Sequence, residues 1–94
     1  MIVRKVSFWT KEKIADALNV FAGAGGVSYA YFYPDRVVMT ARPLRDTRGL
    51  VTKVTVDEIV TDGDAVVGRV YAAMHGDLLF RLRALEAESE EAKA

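Results

Sequence analysis

From Val27 to Arg42 the chain alternates, turns and alternates again, a pattern that a β-hairpin satisfies. Val27 to Tyr33 reads as one strand and Arg36 to Arg42 as its return. Pro34-Asp35 makes the turn, because proline supplies the φ angle that the first turn position needs. Successive strand residues point to opposite faces, so Tyr29, Tyr31 and Tyr33 share one face, and Ser28, Ala30 and Phe32 share the other. Small residues on the second face let a helix approach, which leaves the tyrosine face open. The segment Pro43 to Gly49 follows as a loop without hydrophobic periodicity. It carries Arg45 and Arg48, just after Arg42.

The other segments arrange themselves around this hairpin. Ile2 to Trp9 alternates and is expected to form a strand. Thr10 suits a helix N-cap, and Ile14, Leu18 and Phe21 then recur at helical spacing. Gly23, Gly25 and Gly26 end that helix. Leu50 to Thr61, dense in valine and threonine, reads as a long strand. Asp62-Gly63 reads as a tight turn, and Ala65 to Met74 as the partner strand. Asp77 opens a final helix over residues 77–92, with Leu78, Leu82 and Leu85 on a short heptad seam. The expectation is one α+β domain over residues 1–94. Its antiparallel sheet has about four to five strands in the order β-α-β-β-β-β-α, with helices on one face.

Composition removes several classes of function. With no cysteine, disulfides and thiolate metal sites are excluded. No apolar run approaches the roughly 20 residues that span a bilayer, and no signal-peptide core follows Arg4 and Lys5. The expected setting is cytoplasmic, without a membrane partner. Glutamine is absent and Asn19 is the sole asparagine, a tendency of hyperthermophile proteins. The zero formal charge conceals an asymmetry: residues 1–83 carry a net +3 and residues 84–94 a net −3. A mildly basic body permits nucleic-acid binding without requiring it.

Catalytic constellations are poorly supported. His75 is the single histidine, and no serine stands in a nucleophile-elbow context. Asp57 and Glu58 are adjacent, hence on opposite sides of a strand. The run Ala22 to Gly26 follows a helix, whereas a phosphate-binding loop precedes one. Neither an enzyme nor a cofactor is expected.

The aromatic and basic residues carry the functional reading. Tyr29, Tyr31, Tyr33 and Tyr71 would stack bases. Arg42, Arg45, Arg48 and Arg69 would neutralise phosphates, with Lys5 and Trp9 at another edge. Stacking plus backbone charge is what a sequence-tolerant single-strand binder uses. The same tyrosines also suit a sheet core or a protein interface, since tyrosine pairs well across strands and populates interfaces. Two readings lead, non-catalytic binding of single-stranded DNA or RNA, or a homo-oligomeric interaction or scaffold subunit, and a small-molecule pocket is the third. Leu78, Leu82 and Leu85 would join copies in either case, by pairing antiparallel helices whose basic starts meet acidic ends.

The tyrosine triplet, the arginine triplet and the Leu78–Leu82–Leu85 seam resemble those of the small archaeal single-stranded DNA-binding proteins called ThermoDBP and their relatives. The resemblance implies an antiparallel sheet with helices, an aromatic cleft edged by basic residues, and a C-terminal helix that oligomerises. The zero net charge and the short seam depart from that pattern.

Overall fold

A computed structural model describes residues 1–76 of the 94-residue chain. Its elements run β1 (Ile2–Lys5), α1 (Lys11–Gly23), β2 (Tyr29–Tyr33), β3 (Arg36–Thr40), β4 (Thr52–Thr55) and α2 (Val56–Gly76). The strands form one antiparallel sheet in the order β1-β3-β2-β4. The α+β class expected from the sequence is the class observed, with four strands among the described residues.

Each early element forms for a local reason. The Thr10 hydroxyl accepts from the Lys13 backbone N–H at 3.1 Å and so starts α1. Ile14, Ala17, Leu18 and Phe21 are the buried stripe of that helix. It ends at Ala24, whose N–H donates to the Phe21 carbonyl, and Gly26 then takes a φ of +82°. The β2–β3 hairpin pairs Tyr33 with Arg36 and Tyr29 with Thr40, as the Pro34-Asp35 turn requires.

The alternation along β2 and β3 divides the molecule into two cores. On one side Ala30, Phe32, Val37, Met39 and Val54 pack with Trp9, with the apolar stripe of α1, and with Val66, Val70 and Met74 of α2. On the other side Tyr31, Tyr33 and Val38 form a smaller cluster with Tyr29, Leu44 and Leu50. The main core holds the side chains with the least exposure, including Trp9, Phe21 and Phe32.

The second half of the chain departs from expectation. Only Thr52–Thr55 of the expected strand Leu50–Thr61 is extended, and from Val56 the backbone is helical. Ala65 to Met74 is helix, not strand. Val66, Val70 and Met74 recur every four residues and are buried, whereas Gly68 and Ala72, which would have shared their side in a strand, are exposed. The preference of valine for strands is weak and yields to burial of a helical stripe. Asp62-Gly63 is a kink instead of a hairpin turn. Asp62 has non-helical φ and ψ of −160° and 78°, and its carboxylate accepts from the Ala65 N–H, capping the second segment of α2. The first segment carries Asp57 and Glu58 in its opening turn, where the helix dipole favours acid.

β1 is one edge of the sheet. The Val6 N–H donates to the Asp35 carbonyl. Antiparallel alternation then turns the main-chain groups of Ile2 and Arg4 toward β3, and those of Val3 and Lys5 outward.

Candidate nucleic-acid interface

The tyrosine side of the sheet is built in rows across the strands. Lys5, Arg36 and Tyr33 form one row, and Val3, Val38, Tyr31 and Lys53 the next. Thr40, Tyr29 and Thr55 form the third. Basic side chains therefore neighbour the tyrosine rings in two of the three rows. The Arg36 guanidinium lies 3.9 Å from the Tyr33 ring centroid, and the Lys53 ammonium 5.7 Å from that of Tyr29.

The loop over residues 41–51 closes on this side. Leu44 and Leu50 pack against the tyrosine cluster. The Leu44 backbone N–H donates to the Tyr31 hydroxyl at 3.0 Å. Tyr31 and Tyr33 are each only 3% exposed, while Tyr29 is half-buried. The expected open ladder of three phenols is thus reduced to one accessible ring. Alternation correctly puts the three rings on one face, but it carries no information on whether a loop will cover them.

The arginines of that loop stand outside the cover. Arg42, Arg45 and Arg48 are exposed, and among the described residues Arg42 and Arg45 make no ion pair. Arg48 is clamped to Asp46 by three side-chain hydrogen bonds and donates its backbone N–H to the same carboxylate. Those bonds, the side-chain ones first, hold the Asp46 carboxyl below its ordinary value and raise Arg48. Gly49 takes a φ of +80°, which turns the chain so that Leu50 can reach back to the sheet.

Three expected site residues lie elsewhere. Trp9 is 1% exposed and packs in the main core, its ring centroid 5.2 Å from that of Phe32. Its indole N–H donates to the Tyr33 carbonyl at 2.7 Å, so it supports the tyrosine strand from behind. Arg69 and Tyr71 are on α2, because the segment that holds them is helical. Arg69 pairs with Glu58 and also donates to Thr52, and the Tyr71 ring lies tilted against that of His75, centroids 4.0 Å apart, with Lys11 nearby. Neither can join the tyrosines. Leu78, Leu82 and Leu85 lie outside the described residues.

Two bases were missed. Arg36 opens β3 directly opposite Tyr33, and Lys53 sits opposite Tyr31. The alternation Thr52-Lys53-Val54-Thr55 was the available signal for Lys53, which must share a face with Tyr31 once Val54 is placed in the core.

Among the described residues this side shows six bases, Lys5, Arg36, Arg42, Arg45, Arg48 and Lys53, against the acids Asp35 and Asp46. Most of the remaining described acids, among them Asp57, Glu58, Asp62 and Asp64, belong to α2. No His, Cys, Asp or Glu side chains gather in threes suited to a metal ion among the described residues, and no described helix is long and apolar enough to cross a membrane. No known protein family, curated protein or solved structure matches the chain.

Proposed function

We propose that the domain binds single-stranded nucleic acid without catalysis, mainly through its phosphates, as a cytoplasmic protein similar in kind to the ThermoDBP group. The observation that carries this reading is the gathering, among the described residues, of six bases on the loop-covered sheet side against two acids. Charge on one face attracts a polyanion and holds it by releasing counterions. Tyr29 supports a single stacking contact, since it alone of the three hairpin rings is partly exposed. The balance between the two contributions therefore shifts from stacking toward electrostatics. DNA and RNA both fit, because phosphates are common to both.

The test is fluorescence anisotropy of a labelled oligo-dT at several salt concentrations. Binding should weaken with salt, with a log–log slope of about −0.7 per phosphate contacted. Replacing Arg42, Arg45 and Lys53 together by alanine should flatten that slope by about 2. An absence of binding at low salt, or an unchanged slope in the triple variant, would remove the proposal in favour of a protein-interaction subunit.

A further inference from the structure

A second basic cluster lies away from the loop, where β1 and the segment after it face α1. A cavity of about 350 Å³ opens there, within the size range of small-molecule pockets. Among the described residues its rim carries the side chains of Arg4 and Lys13 and the carboxylate of Asp16, and its floor includes the buried Trp9, Ala17 and Val37. Two cations beside one concavity attract an anion that can reach both.

The existing partners do not neutralise this rim. The Arg4 guanidinium stands 3.6 Å from the Asp16 carboxylate, a loose pair with both side chains largely in solvent. Such a pair holds little energy and is readily exchanged for a better acceptor. The Lys13 ammonium rests 3.9 Å from the Phe8 ring centroid and makes no ion pair among the described residues.

We propose that the cleft between β1 and α1 binds a small phosphorylated anion, with Arg4 and Lys13 holding the phosphate. Arginine presents a planar fork that matches phosphate oxygens, and lysine adds point charge beside it. The apolar floor accepts the organic part of the molecule. The cavity volume limits that part to roughly the size of a mononucleotide or smaller. The inference does not rest on the nucleic-acid reading, since Arg4 and Lys13 are not among the six bases of that face. The phosphate has two chemical sources, a free phosphorylated small molecule or the terminal phosphate of a nucleic-acid strand.

Trp9 is the only tryptophan and forms part of the cavity wall, so its fluorescence reports on occupancy. The full chain is titrated with pyrophosphate at constant ionic strength, and calorimetry supplies a reading independent of the indole. Saturable binding is expected. Arg4→Gln with Lys13→Gln should weaken it roughly tenfold or more, as lost charge-assisted contacts require. Asp16→Asn should tighten it roughly threefold by freeing Arg4, an effect that damage to the fold would not mimic. Lys53→Gln, on the opposite side of the sheet, should leave it unchanged. Comparing 5′-phosphorylated with 5′-hydroxyl oligo-dT then assigns the source. A preference for the phosphorylated end points to a strand terminus, equal affinity points to a free small molecule, and each of these upholds the cleft where pyrophosphate saturates. No saturation by pyrophosphate, equal binding by the Arg4/Lys13 variant, or weaker binding by Asp16→Asn would overturn it.

Discussion

The two faces of the sheet are made by the same strands and closed in different ways. One face, with Ala30, Phe32, Val37, Met39 and Val54, is capped by residues of two helices and by Trp9. The other, with Tyr31, Tyr33 and Val38, is capped by a loop that contributes two leucines and one backbone N–H. A helix can seal a purely apolar face because its own backbone is satisfied internally. A loop cannot, and must find partners for its amides. The tyrosine hydroxyl is such a partner, so phenols under a loop do what phenylalanines under a helix do, with one polar contact added. The difference explains how a face can be both buried and lined with arginine: the rings lie below the loop, and the charges lie above it.

The largest expected effect tests the helix-covered face. Phe32→Ala removes a fully buried ring and should cost about 3–5 kcal/mol in chemical denaturation, against a smaller loss for Leu44→Ala in the half-buried loop. Equal losses would erase the distinction between the two cores. Trp9→Phe comes next, because it leaves the Tyr33 carbonyl without its buried donor; about 1–3 kcal/mol should be lost. This variant also reveals how far the two faces are coupled, since the bond runs from the main core to the tyrosine strand.

Tyr31→Phe keeps the ring and deletes the hydroxyl that holds Leu44. A loss of about 1 kcal/mol is expected, with faster amide exchange confined to the loop. Exchange accelerating across α1 as well would show that the loop is not an independent unit. The smallest effect is a pH dependence. The Asp46 carboxyl is held below its ordinary value of 3.8 by Arg48, so its folded pKa is depressed. Its contribution is present above the unfolded value and fades as pH falls through the folded one. NMR titration of Asp46 should show a midpoint below 3.8, and Arg48→Ala should move it up toward the ordinary value, the backbone N–H of residue 48 still holding it somewhat lower. Both groups are fully exposed, so global stability should change little.

The first half of the fold was readable in the sequence because its signals were local. Thr10, the Ile14–Leu18–Phe21 spacing, the glycines after Phe21 and the Pro34-Asp35 turn each specify their element without help from distant residues. The second half misled because valine at every second or every fourth position can be read both ways. Val66, Val70 and Met74 satisfy an alternating pattern and a helical one equally. Asp62-Gly63 strengthened the wrong choice, since the pair that makes a hairpin turn also makes a helix break with an N-cap. Among the candidate site residues, the facing of Tyr29, Tyr31 and Tyr33 followed from the period of two. Their cover did not, because it depends on Leu44 and Leu50 folding back across many residues. Arg69 and Tyr71 were lost to the interface together with the strand that was to carry them.

The outward main-chain groups of Val3 and Lys5 bear on how this protein behaves when crowded. A bare sheet edge is a template on which other chains can lay down strands and build fibrils. Here that edge is four residues long, and two of them are Arg4 and Lys5. A strand arriving there would find too little length to register and would have to strip water from adjacent cations. The Arg4 charge that rims a cleft on one side, with that of Lys5 on the other, thus keeps the sheet from growing sideways, and neutralising both should be felt first as a loss of solubility at high concentration.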